Sequence, residues 1–160
     1  MTELQKAWND WLEGIPFTHF LTLTFGEYSP RPELALKYWK QESEQLRGSF
    51  WFAVVENGKL YGRTHLHVLL NSRWPVDVQL FDASWRKRFG FTKITAFRPD
   101  GGAVSYCVKY AIKEESALWD IHLPGGSRTP ADISPTAALL EPQQVSWYDG
   151  QTGEMKPLPG

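Results

Sequence analysis

The sequence predicts an α+β fold, with helices laid against a central antiparallel sheet. Three observations carry that expectation. The period of the apolar residues switches between two and three-to-four along the chain, an Asn-Gly pair separates two strand-like runs, and the elements then follow in the order β-α-β-β-α-β-α. The length of 160 residues suits one domain with one real core.

A short amphipathic helix opens the chain, because residues 3–13 place Leu4, Trp8, Trp11 and Leu12 at helical spacing before Gly14 and Pro16 stop it. Residues 18–25 alternate apolar and β-prone polar side chains and read as a strand. Pro32 and Glu33 suit the first turn of a helix reaching about Arg47. Residues 50–56 form the next strand, and Asn57-Gly58 is a strong hairpin signal that returns the chain along residues 64–70. Val78, Phe81, Trp85 and Phe89 share one face of a helix over 75–89, which Gly90 ends. Residues 91–97 alternate again, and Pro99-Asp100-Gly101-Gly102 turns the chain into a last helix over 103–115. Residues 123–142, rich in Pro, Gly, Ser and Ala, read as an irregular arm, and residues 145–158 as a terminal hairpin. The expected organisation is therefore a core of residues 1–120 and an arm of 121–160.

With 42% hydrophobic and 22% charged residues the chain is too apolar for disorder, and no apolar run approaches the roughly 20 residues of a membrane span. The N-terminus lacks the apolar stretch of a signal peptide, and Cys107 is the single cysteine, so a soluble protein of a reducing, cytoplasmic compartment is expected. Net charge is −1, but residues 84–113 hold Arg86, Lys87, Arg88, Lys93, Arg98, Lys109 and Lys113 against Asp100 alone. That window carries +6 and the remainder −7, so one basic face could steer a polyanion. Trp85, Phe89, Phe91 and Phe97 are interleaved with these cations; they read as core, with stacking on unpaired bases as the alternative.

Three groups of residues carry chemistry. His65 and His67 are two apart in a strand, so both imidazoles leave one face of the sheet, an arrangement that suits two ligands of one Mn²⁺ or Zn²⁺ ion. Glu56 precedes the hairpin and would become a direct partner of His65 if the turn centres near 60–61, adding a carboxylate to the two nitrogens; the sequence leaves that register open. In the last helix Tyr-x-x-Lys occurs twice in succession. Tyr106 and Tyr110 fall on one face about 6 Å apart along the axis, with Lys109 and Lys113 on a neighbouring stripe. A phenol attacks phosphorus only when the phosphate is polarised and an ammonium is close, conditions that these groups together would supply.

In their order, Leu21-Thr22-Leu23-Thr24-Phe25, Gly62-Arg63-Thr64-His65-Leu66-His67-Val68-Leu69-Leu70 and Tyr106-Cys107-Val108-Lys109-Tyr110-Ala111-Ile112-Lys113 resemble the three motifs of HUH endonucleases. Within that superfamily the chain looks most like the rolling-circle replication initiators of phages and plasmids with two tyrosines in the third motif, over residues 18–115. The resemblance implies a ferredoxin-like fold and a Mg²⁺ or Mn²⁺ ion on His65 and His67, with Glu56 as third ligand. It further implies tyrosine attack on single-stranded DNA or an origin hairpin that leaves a 5′-phosphotyrosine and a free 3′-hydroxyl, assisted by Lys109 and Lys113. It leans to Tyr110 as first nucleophile, because some relatives carry an acidic residue in place of the first tyrosine. Arg86, Lys87, Arg88, Lys93 and Arg98 would bind the DNA. No phosphate loop of a helicase occurs in the sequence, so a separate or host helicase and polymerase would be partners, in the prokaryotic cell of a phage or plasmid. A transposase or relaxase, a hydrolase using activated water and a non-catalytic nucleic-acid-binding module are the competing expectations.

Overall fold

The computed structural model describes residues 2–57, 63–112, 118–123 and 146–157. Helix α1 (Glu3–Glu13) begins with a capping box: the Gln5 amide donates to the Thr2 hydroxyl, and the Thr2 amide to the Gln5 side chain. Strand β1 (His19–Thr24) leads to helix α2 (Pro32–Glu42), which tightens into a 3₁₀ turn at Ser43–Gln45, short of the expected Arg47. Strands β2 (Phe50–Asn57) and β3 (Thr64–Asn71) form the expected antiparallel pair, and the connecting 58–62 lies outside the described residues. Helix α3 (Pro75–Arg88), strand β4 (Thr92–Ala96) and helix α4 (Ala103–Ile112) follow as the sequence anticipates, with positions 113–115 of the expected last helix outside the description. Gly102, at φ +82° before α4, holds a left-handed turn that a side chain would strain.

The main sheet has the order β4-β1-β3-β2-β5 and every pairing is antiparallel. Its fifth strand, β5 (Trp119–His122), corrects the four-strand expectation. It has only four residues with Asp120 among them, too short for alternation to show, and it is held by backbone pairing to β2 and by an ion pair from Lys40 to Asp120. A separate hairpin, β6 (Ser146–Asp149) and β7 (Glu154–Pro157), stands where the terminal hairpin was expected. Of the predicted 123–142 arm only Leu123 is described, and it is buried.

Helices cover both faces of the sheet. Trp39 of α2 and Phe81 and Trp85 of α3 pack, fully buried, on Leu21, Leu23, Leu66, Val68 and Leu70. On the other face Leu12 of α1 and Cys107 and Val108 of α4 pack on Phe52, Val54 and Leu69. The strands β2 and β3 are thus buried on both sides, which explains their nearly unbroken apolar runs.

The terminal hairpin closes over the edge strand β4. The Tyr148 hydroxyl donates to buried Asp82 at 2.9 Å, the Tyr148 amide to His19 Nε2 at 3.3 Å, and the Gly150 amide to the Ile94 carbonyl. At Gly150 the approach is so close that a Cβ would stand 3.0 Å from the Ile94 Cβ. His19 is fully buried, and with Nδ1 on the Thr18 hydroxyl it receives the Tyr148 amide only as neutral imidazole. Burial lowers its pKa from 6.5 to about 3. Between those values the unfolded chain holds a proton that the folded chain refuses, so the contribution is complete above pH 6.5 and falls away as pH drops towards 3. Urea denaturation is expected to lose about 2 kcal/mol of stability between pH 7 and pH 5, at roughly 1.4 kcal/mol per unit below the unfolded pKa. His19→Asn should flatten most of that slope, and an unchanged slope would assign it elsewhere.

Candidate active site

The α4 side of the sheet changes character along the strands. The register lines up Phe52, Leu69, Phe20 and Thr95 in one cross-strand row, then Val54, His67, Thr22 and Lys93, then Glu56, His65 and Thr24. Apolar rows hold α1 and α4, and the polar rows begin where α4 brings its tyrosines. Glu56 and His65 are direct cross-strand partners, and alternation keeps His67 on their face.

His67 is buried at the centre of this group. Its Nε2 lies 2.6 Å from Glu56 Oε2, and its Nδ1 lies 3.3 Å from the Thr22 hydroxyl. Phe20 stacks along its ring at 6.2 Å, Tyr106 meets it edge-on at 4.8 Å, and Tyr110 lies parallel at 6.2 Å. The two phenol rings are 5.0 Å apart, as positions four apart on one helical face require. The Tyr106 hydroxyl donates to Glu56 Oε2 at 3.1 Å. One carboxylate oxygen therefore receives both an imidazole N–H and a phenol.

Burial drives the His67 pKa down, the Glu56 hydrogen bond and charge pull it up, and the net effect is a lowered value. Burial pushes the Glu56 carboxyl up, but hydrogen bonds from His67, Tyr110 and Tyr106 outweigh it and hold the group below the usual carboxylate range. The contact is thus a neutral imidazole donating to a carboxylate. The Tyr106 phenol is raised by burial first, then by its Tyr110 and Glu56 neighbours, so it rests as a neutral phenol.

The structure brings Glu56, His67, Tyr106 and Tyr110 together. His65 shares their face half-exposed, opposite Glu56. Among the described residues no three His, Cys, Asp or Glu side chains stand in an arrangement that could hold a metal ion. The donor chemistry of two imidazoles and a carboxylate nevertheless fits a divalent cation. To ligate through Nε2, His67 must carry its proton on Nδ1, where the Thr22 hydroxyl stands ready to accept it. Lys109 is exposed with its ammonium 5.8 Å from the centre of the Tyr110 ring, and Lys113 lies outside the described residues.

The basic window divides. Arg86 binds Asp82 and Arg88 binds Glu42, both carboxylates buried, and with Lys87 they belong to α3, which packs on the far face of the sheet from the tyrosines. Arg86 and Arg88 are therefore engaged in holding the fold. Lys93 and Arg98 are exposed and have no charged partner among the described residues. Trp85 and Phe97 are core as expected and Phe89 is half-buried, whereas Phe91 is 68% exposed. Thr22 and Phe20 are functional neighbours of His67 that sequence reasoning passed over. Their signal was the alternation of β1, legible only once β1 was known to pair with β3.

A family model described as a replication-associated protein of the ORF2 type matches residues 18–115. A comparison with curated proteins gave no match. Among solved structures, the chain is similar to the hypothetical protein ORF119 from Sulfolobus islandicus rod-shaped virus 1, at 17% identity and a TM-score of 0.43, over 70% of this chain and 93% of that one.

Proposed function

We propose, from the premise that this chain belongs to the ORF2-type replication-associated protein family, that it initiates replication by nicking and rejoining single-stranded DNA through a phosphotyrosine. The observation that carries the reading is the pair of phenols, 5.0 Å apart, over the Glu56–His67 pair. This is the arrangement expected of an HUH replication initiator.

Tyr106 or Tyr110 attacks the scissile phosphorus through its hydroxyl oxygen, and Glu56 accepts the phenolic proton. The Tyr O–P bond forms as the bond from phosphorus to the 3′-oxygen breaks, and that oxygen leaves as a hydroxyl after taking up a proton. Rejoining is the reverse, with the 3′-hydroxyl as attacking group. Two phenols on one face let one hold the first strand while the other cuts again. His65, His67 and Glu56 would hold a Mg²⁺ or Mn²⁺ ion, which when bound neutralises charge at the scissile phosphate. Lys109, beside Tyr110, adds positive potential to a phenolate. Strand separation and synthesis fall to a separate helicase and polymerase.

The test is a denaturing gel of the protein with end-labelled single-stranded DNA of mixed sequence and Mn²⁺. A label that moves to the mass of the protein, and disappears with EDTA and in Tyr106→Phe/Tyr110→Phe, is the expected result. The double variant should lose the adduct by at least about a thousandfold, as removal of a nucleophile does elsewhere. Cleavage without adduct that survives in the double variant would replace the tyrosine by water.

A further inference from the structure

One stretch of surface next to the tyrosines has features that the cleavage reading leaves unused. The Thr24 amide and hydroxyl both donate to the Phe91 carbonyl, at 2.9 and 3.2 Å, which continues the β1–β4 pairing by one residue. Alternation then puts Phe91, Lys93 and Thr95 on the α4 side of the edge strand. Phe91 belongs to the row of Glu56, His65 and Thr24, and Lys93 to the row of His67 and Thr22. Two strand spacings separate Lys93 from His67, about 10 Å.

Beyond Thr95 the same edge opens into a cavity of about 640 Å³. The sheet contributes Phe20, Thr95 and Arg98, and the terminal hairpin contributes Asp149, Gln151 and Lys156. Asp149 is neutralised by Lys156 at 2.6 Å, which leaves Arg98 as the uncompensated charge at the cavity. Phe20 joins the two places, since it lines the cavity and stacks on His67.

We propose that this edge is the track of the unpaired strand, and that the terminal hairpin is one wall of a nucleotide subsite on it. Phe91 stacks a base beside the metal-binding row, Lys93 and Arg98 take successive stretches of phosphate, and the cavity under the hairpin receives a flanking nucleotide. An exposed aromatic beside unpaired cations is the sequence-tolerant way to hold single-stranded nucleic acid. The aromatic, both cations and the cavity lie within one strand length of the tyrosines. The cations of α3 do not meet that description, because Arg86 and Arg88 are consumed by buried carboxylates on the other face. The inference deepens the nicking reading and rests on it for the identity of the ligand.

Fluorescence anisotropy of a labelled single-stranded 20-mer of mixed sequence, in EDTA, separates the two. Lys93→Ala/Arg98→Ala should weaken binding tenfold or more and make the slope of log K against log salt shallower by about 1.4, the share of two phosphates on a single strand. Phe91→Ala should weaken it severalfold, with Phe91→Trp restoring it, and Lys87→Ala on the far face should bind as wild type. Equal binding by wild type and the Lys93/Arg98 variant, greater loss in Lys87→Ala, or no binding by the wild type overturns the track. Wild-type binding with the expected signature but no adduct under Mn²⁺ leaves the track standing and removes the nicking reading. An adduct whose yield is indifferent to these variants at limiting DNA does the reverse.

Discussion

Glu56→Gln should reduce formation of the protein–DNA adduct by at least about a hundredfold while leaving the melting temperature within a few degrees of wild type. The carboxylate is the one acceptor that serves both His67 Nε2 and the Tyr106 hydroxyl. Glutamine keeps the size and one acceptor oxygen but loses the negative charge and the ability to take a proton. Loss of a positioned base costs typically 10²–10⁴-fold. Stability is spared because the substituted amide still accepts from the imidazole, and Glu56 is partly open to solvent. Adduct yield is read on the denaturing gel at several times, with thermal unfolding in parallel. A Glu56→Gln protein that forms adduct at the wild-type rate would remove Glu56 from the chemistry and leave the phenols to another acceptor.

Trp85→Ala should cost about 3–5 kcal/mol, a large share of the stability of an ordinary domain. Trp85 is fully buried among Phe25, Phe81 and Phe89, with ring centres 5.5, 5.9 and 4.6 Å away. Its indole N–H donates to the Thr24 carbonyl at 3.1 Å. Truncation therefore opens a cavity and orphans the last carbonyl of β1, directly behind the Thr24–His65–Glu56 row. Trp85→Phe keeps most of the volume and loses only the hydrogen bond, so about 1–2 kcal/mol is expected. Denaturant midpoints of the two variants give the comparison; equal losses would mean that the hydrogen bond, and not the volume, decides.

How much of this was readable in advance depends on which force places each residue. Period-switching of apolar side chains marks α1, β1 and α3 because each buries one face, and that burial is written along the chain. The Glu56–His65 pairing was anticipated as one option, since a hairpin needs only its centre to set register. The adjacency of Thr22 to His67 was not readable, because it arises from β1 lying beside β3 across 45 positions of sequence. The basic window looked uniform in sequence, yet Arg86 and Arg88 are committed to Asp82 and Glu42 while Lys93 and Arg98 are not. Charge is additive along a chain, but its availability depends on tertiary partners. β5 was hidden for a related reason: a strand of four residues, one of them charged, takes its place from its neighbour's open edge.

The hairpin that closes over β4 also sets the order in which the chain can mature. Tyr148 reaches His19 across 129 positions and Asp82 across 66, contacts that cannot exist until synthesis has passed residue 148. Until then β4 presents an unpaired margin, the kind of surface along which nascent chains adhere to one another. Contacts of such long span are also the slow ones to form. Refolding is therefore expected to show an early phase that builds the two cores and a later one that seals the margin, and crowding during expression should matter most in the interval between them.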